Sequence, residues 1–294
     1  MSKQTFIHLI YIPFTSVGLY GGYRGNVWYK DRIEIFKNYT LKSLLNQSEP
    51  NFVLWISFRP QEQNNPLTAE LANYLKEKGA EYLLTFNGLM YWDDKYTKNI
   101  LSKIKNCARV VRGGWRNHTL KDIIPGVIEI FFKDKNSSLT SRVKLSVAVI
   151  EKHFKNVDWV YVTRIDSDDM FHKDFVHEIQ QQPVFEGAYT LRNGFIYNKD
   201  TEELAFYRPA TNPPFHTIMF QAQKFFNAEE YVKLFKNFRS HEDIPKVFPS
   251  IRLRDNRYCV LTHNPKHHIS TVWNHPFRGE LLVNPKEIIK DFGI

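Results

Sequence analysis

The chain opens with an apolar run. "IHLIYIPF" (7–14) is almost uninterrupted and has the length of a strand buried on both faces. A glycine-rich stretch, "GLYGGYRGN" (18–26), reads as the loop that follows it. The period then changes. Across "DRIEIFKNYTLKSLLNQ" (31–47), Ile33, Phe36, Leu41, Leu44 and Leu45 share a broad half of a helical wheel, which predicts a helix. "NFVLWISF" (51–58) is a second strand. "TAELANYLKEKG" (68–79) is a second helix, with Thr68 as N-cap and Gly79 just past its end. "EYLLTF" (81–86) is a third strand. Residues 87–138 show no clear period and contain "RGGWRN" (112–117) and the Pro125-Gly126 turn. "SRVKLSVAVIEKHF" (141–154) is helical again, with Val143, Val147, Ile150 and Phe154 on one side, and leads straight into "VDWVYVTRI" (157–165). Strands alternating with helices predict an α/β layered fold with a mainly parallel sheet, whose ligands gather at the carboxyl ends of the strands.

No internal repeat or linker breaks the pattern. The expectation is therefore one domain over 1–294, with a first half to about 169 and a second from about 170. A chain of 294 residues, 43% of them hydrophobic, has room for a large core. Its 23 Phe and 15 Tyr suit strands and aromatic-lined pockets. Two cysteines are too few for a disulfide framework. The N-terminal residues lack the pattern of a signal peptide, and no stretch approaches the ~18–20 apolar residues of a membrane span. The chain is thus expected to be cytoplasmic, with at most a peripheral contact to a membrane surface. A formal net charge of +9 admits nucleic acid, an anionic membrane or phosphorylated substrates as partners. The basic residues are spread along the chain without a dense block, so nucleic acid is not the expected partner.

The run "VDWVYVTRI" ends in Asp166, Ser167, Asp168 and Asp169. Carboxylates held this close raise one another's pKa. A hard divalent cation relieves the repulsion, because Mg²⁺ or Mn²⁺ takes oxygen ligands from one or two carboxylates and from phosphates. A second reading makes the same residues the N-cap of a helix over "SDDMFHKDFVHEI". Spacing alone leaves the two readings even. A D-x-D after a strand also fits a phosphatase of the haloacid dehalogenase type, but that enzyme needs it after the first strand, and here it lies mid-chain.

Four stretches together resemble glycosyltransferases of the GT-A fold, and more narrowly the rhamnosyltransferase-like group related to the family 2 inverting enzymes. They are "RIEIFKNYTLKSLLNQSEPNFVLWISF" (32–58), "VTRIDSDDMFHKDFV" (162–176), "NPPFHTIMF" (212–220) and "RYCVLTHNP" (257–265). The resemblance implies a Rossmann-like GT-A fold, with a mainly parallel central sheet flanked by helices and a smaller β/α region on the acceptor side. It implies a UDP, GDP or dTDP sugar as donor and a hydroxyl of a glycan or glycolipid as acceptor. Transfer would invert the anomeric carbon, with Mn²⁺ or Mg²⁺ bridging the phosphates as a Lewis acid. Asp168 would be the main metal ligand. Asp166 would meet the ribose directly or through the metal, and Asp169 would hold the site or the sugar. His263, which ends the apolar "YCVL", would be a third ligand. Pro13 and Phe14 stand where the family often carries an Arg and would line the nucleotide site, and Arg142 and Arg164 would face the diphosphate.

The inverting step needs a base. The Glu-Asp pair in "SHEDIPKVF" (240–248) resembles the family 2 "ED" motif and points to Asp243, with Glu242 and His241 behind it. Each assignment has a plainer counterpart. Ser240 and Asp243 have the spacing of a capping motif. Arg142 and Arg164 suit surface ion pairs. Tyr11, Phe14 and Trp28 can pack in a core instead of stacking on a base. His267, His268 and His275 read as ordinary histidines, and Pro265 spoils a zinc pair of His263 and His267. Two rival functions are a catalytically inactive sugar-binding relative and a basic nucleic-acid-binding protein.

Overall fold

The computed structural model describes residues 5–15, 25–87, 139–154, 156–235, 238, 240–263 and 272–294, with single helical positions between 104 and 124. Its first strand, β1 (Phe6–Pro13), is followed by helix α1 (Gly25–Ile35), which continues through a π-helical turn at Phe36–Thr40 into α2 (Leu41–Leu45). Next come β2 (Val53–Ser57), α3 (Pro66–Glu77), β3 (Tyr82–Thr85), α4 (Leu139–His153) and β4 (Trp159–Arg164). The remaining strands are β5 (Met170–Phe171), β6 (Gly187–Thr190), β7 (Gly194–Asn198), β8 (Glu203–Tyr207), β9 (His216–Gln221), β10 (Ser250–Arg252), β11 (Tyr258–Thr262) and β12 (Arg278–Leu281). Helix α5 (Phe175–Gln180) lies between β5 and β6.

The larger sheet has the order β10-β6-β9-β4-β1-β2-β3. Its spine, β4-β1-β2-β3, is parallel throughout. On the other side of β4, β9 runs antiparallel, β6 pairs antiparallel with β9, and β10 pairs parallel with β6. The period of two along each strand divides its side chains between two cores. Ile10, Ile12, Leu54 and Ile56 face Trp28, Tyr29 and Ile33 of α1 and Leu71 and Leu75 of α3. Leu9, Tyr11, Val53 and Trp55 face Val143 and Val147 of α4, with Phe225 and Tyr231 beyond. Burial on both faces explains why these strands read as unbroken apolar runs.

The smaller sheet has the order β12-β8-β7-β11-β5 and is antiparallel except for the β7–β11 pair. It carries its own core, in which Met170, Phe195, Leu261 and Phe292 meet Ile35. At Gly194 a Cβ would lie 2.6 Å from the Tyr258 carbonyl oxygen, so β7 and β11 approach only because that position is glycine.

The expected mixed α/β architecture with a parallel-rich central sheet and helices is present. Several boundaries move. The first helix starts at Gly25 and not at 31, because Trp28 and Tyr29 extend its apolar stripe toward the N-terminus. The loop expected over 18–26 therefore loses its last two residues to α1, and the rest of it lies outside the described residues. The cap of α3 is Asn65, whose side chain accepts from the Leu67 amide, with Pro66 at the first helical position. Thr68 is inside the helix, buried and hydrogen-bonded to the Tyr29 hydroxyl at 2.7 Å. Gly79 does sit past the helix end, at φ +69°. Most of 87–138, and His267 and His268, lie outside the described residues. Among the described residues no helix is long and apolar enough to cross a membrane.

Candidate functional site

Strand β4 leaves the large sheet at Ile165, whose amide still reaches the Tyr11 carbonyl at 3.1 Å. The chain turns through Asp166–Asp169, with the Asp169 amide on the Asp166 carbonyl at 3.2 Å, and enters the small sheet as β5. The acidic cluster is thus the turn that joins the two sheets at the carboxyl end of the parallel spine, and it caps no helix. The next helix, α5, starts six residues beyond Asp169, at Phe175. The exit strand is pinned by α2 and the residues just after it: Ser43 Oγ accepts the Phe171 amide at 3.2 Å, and Gln47 donates to the His172 carbonyl at 2.9 Å.

The three carboxylates have different surroundings. Asp166 is a third exposed and pairs with Arg164 Nη2 at 2.8 Å. Asp168 is buried, and its Oδ2 meets two groups, Arg32 Nη1 at 2.5 Å and His263 Nε2 at 3.0 Å. Burial opposes its ionisation, but the Arg32 charge and the His263 hydrogen bond outweigh burial and hold it below the usual carboxylate range. Asp169 is buried too, and its Oδ1 accepts the Leu261 amide at 3.1 Å. Burial and then the charges of Asp168 and Asp166 push its pKa well above the ordinary value.

Arg32 reaches this turn from α1, with its guanidinium 5.7 Å from the Trp28 ring one helical turn earlier. Arg164 is buried at the end of β4, opposite His216 in the β4–β9 register. Both guanidinium groups place one arm on a carboxylate. The buried Nε of Arg32, and Nε and Nη1 of Arg164, have no hydrogen-bond partner among the described residues. Buried donors of this kind call for an acceptor.

His216 and His241 complete the rim. Burial and then the Arg164 charge lower both pKa values, that of His241 to about 4 and that of His216 well below the ordinary value, so both rings are neutral at pH 7. Asp166 also acts on His241, which places the "HED" segment beside the acidic turn.

The structure brings Asp166, Asp168, Asp169, Arg164, His241 and His263 together, and Glu242 and Asp243, which also act on His241, have local partners of their own. Asp243 is drawn into a capping box: it accepts the Ser240 amide at 3.3 Å and Lys246 Nζ at 2.7 Å. Glu242 accepts the Thr211 hydroxyl at 2.8 Å. Phe14, expected at the nucleotide, is buried among Tyr29, Phe36 and Phe58, and Tyr11 lies fully buried on Trp55. Pro13 ends β1 beside Ser57. Arg142 is not the surface residue expected of an ion pair but is buried in α4.

The ligand set expected for Mn²⁺ or Mg²⁺ was Asp166, Asp168 and His263, and the residues as arranged do not suit such an ion. A carboxylate oxygen only accepts, so His263 Nε2 carries a hydrogen toward Asp168 and offers no lone pair there. Arg32 already neutralises the carboxylate that would be the main ligand. Among the described residues no group of three or more His, Cys, Asp or Glu side chains is gathered as a metal set.

Sequence reasoning missed Arg32 and His216. Arg32 had a signal: it lies four residues after Trp28, beside the apolar stripe of Tyr29, Ile33 and Phe36. His216 sits within the quoted "NPPFHTIMF" but had no partner in the sequence to mark it.

No protein-family model matches the chain, and no curated protein matches it. Among solved structures it is similar to the crystal structure of the glycosyltransferase GlyE in Streptococcus pneumoniae TIGR4, at 13% identity and a TM-score of 0.34. The match covers 85% of this chain and 46% of that one, so the chain spans less than half the length of that protein.

Proposed function

We propose that the chain is a glycosyltransferase of GT-A type that moves a sugar from a nucleoside diphosphate donor to a hydroxyl of a glycan or glycolipid. The observation that carries this reading is the Asp166–Asp169 turn. It sits at the carboxyl end of a parallel spine, where α/β sheets bind ligands, and it gathers two arginines with buried donors that have no partner among the described residues. Planar guanidinium forks fit a diphosphate.

In the proposed step the bond between the anomeric carbon and the phosphate oxygen breaks, and the acceptor oxygen bonds to that carbon from the opposite face. The nucleoside diphosphate leaves with the bonding pair. The acceptor proton goes to a base, for which we take His241, whose ring feels Arg164 and Asp166. Its ring is neutral at pH 7 and able to accept. Asp166 orients Arg164, and Asp169 holds the turn against β11.

A panel of UDP, GDP and dTDP sugars, with candidate glycan acceptors, tests the reading through nucleoside diphosphate release, run in EDTA and in Mn²⁺. Release with one donor, lost in His241→Ala, supports it. Binding of a nucleotide sugar without turnover favours the inactive relative, and no binding at all removes the reading.

A further inference from the structure

We infer that Arg32 takes the place of a divalent cation at this site: with Arg164 it forms a two-guanidinium clamp for the donor diphosphate, held in position by Asp168 and His263. The inference rests on the donor class proposed above and narrows how that donor is held.

Three independent features converge on Arg32. Its charge sits on the buried Asp168 at 2.5 Å, on the same oxygen that His263 meets at 3.0 Å, so the guanidinium is fixed from one side. The Trp28 ring, 5.7 Å away, supports it from its own helix. Its buried Nε has no partner among the described residues, and Arg164 repeats the pattern with Nε and Nη1. Each guanidinium thus uses one arm on a carboxylate of the same turn, Asp168 or Asp166, and keeps donors for a further acceptor. Two such forks flanking one turn match the spaced anionic oxygens of a diphosphate. An acidic partner with fewer oxygens, such as a single carboxylate, would leave one fork unfilled.

A cation bound at Asp168 would share one buried carboxylate with Arg32, and displacing Arg32, whose side chain is only 12% exposed, would leave that charge buried without its counter-ion. Arg32 and a metal therefore compete for one negative charge. The same logic predicts that removing the guanidinium opens Asp168 to a metal.

The test is calorimetric titration of the full chain with inorganic pyrophosphate and with UDP, GDP and dTDP, each in EDTA and in Mn²⁺. The variants are Arg32→Lys, Arg32→Met and the double variant Arg32→Met/Asp168→Asn. The double variant removes both buried charges together and so keeps the fold testable if the single one unfolds. Expected is binding by the wild type in EDTA, unchanged by Mn²⁺. The double variant should bind at least about tenfold more weakly, the loss of one charge-assisted hydrogen bond or more. Arg32→Lys should fall between, since it keeps the charge and loses the fork. Arg32→Met, where folded, should gain Mn²⁺-dependent binding. Wild-type binding that requires Mn²⁺, or binding unaffected in the double variant, overturns the clamp and leaves the transferase reading standing. No binding of pyrophosphate or of any nucleoside diphosphate, with or without Mn²⁺, overturns both.

Discussion

The parallel spine and the smaller sheet meet at one turn but are held by different forces. In the spine, strands of four to eight residues bury apolar side chains on both faces. The smaller sheet is built from strands of two to five residues. Polar contacts from distant segments fix its inner edge: Asp169 to the Leu261 amide, Ser43 to the Phe171 amide, and the Lys173 amide to the Asp291 carbonyl. The spine is therefore a scaffold that tolerates changes of charge and suffers from changes of volume. The turn and its neighbours should respond the other way. Chemistry placed between a rigid sheet and a charge-tuned one can be adjusted without rebuilding the core.

The sharpest break of this contrast is a cavity in the spine. Trp55 is fully buried, its ring centroid 4.6 Å from that of Tyr11, and its Nε1 donates to Thr85 Oγ1 at 2.9 Å. Trp55→Ala should cost about 3–5 kcal/mol, measured by urea denaturation, through lost transfer energy and an unfilled cavity. Residual nucleotide binding under conditions where the variant stays folded should be nearly unchanged, since the side chain faces α4 and not the turn.

Next is Asp168→Asn, a change of charge at nearly constant volume. It strands the Arg32 guanidinium in a buried position, a situation that costs about 3 kcal/mol. The same substitution on an exposed pair would cost a fraction of that. A denaturation midpoint unchanged from wild type would show that the Arg32–Asp168 pair carries no structural weight.

These two positions also mark what sequence can reveal. Trp55 lies in an apolar run, and the run announced a strand whose ends the structure shifts by one or two residues. Asp168 stood out because three carboxylates in four positions are rare, but its partners were invisible. Arg32 is 136 residues earlier, on a helix, and His263 is 95 residues later. Local periodicity reports which face of an element is buried; it holds no information about which distant charge meets which. The same limit let the cluster read as a helix cap, when it is the turn between the two sheets, and hid the buried arginine that pairs with Asp168. It also made Asp243 the first candidate for the base, although its spacing from Ser240 carried the capping signal that the structure realises. The strands after residue 170 are hard to read because two to six residues scarcely establish a period.

A third test probes the spine through pH. His8 is buried in β1, and Gln180 Nε2 donates to its Nδ1 at 3.2 Å while Nε2 meets the Thr163 hydroxyl at 2.7 Å. Burial lowers its pKa to about 3 from the ordinary 6.5. The unfolded chain therefore binds a proton that the folded chain refuses between those values. Stability is complete above pH 6.5 and falls as the pH drops toward 3, by up to about 1.4 kcal/mol per unit from this group. At pH 4.5 the loss should be about 2–3 kcal/mol, and His8→Gln should remove that share of it while changing stability little at pH 7. Parallel curves for the two proteins from pH 7 to pH 4 would show that His8 is not responsible.

The smallest structural effect is expected at Asp166, and that is its value as a test. Its carboxylate is a third exposed and holds one arm of Arg164. Asp166→Asn retains an acceptor for that arm but removes the charge facing a buried guanidinium, so stability should fall by about 1–2 kcal/mol. In contrast to Asp168, two positions along the same turn, the cost is low because water reaches the site. If Asp166 orients Arg164 for a diphosphate, pyrophosphate affinity should nonetheless drop severalfold, with the midpoint of denaturation nearly fixed. Unchanged affinity would mean that Arg164 is held by β4 alone and that Asp166 does not orient it.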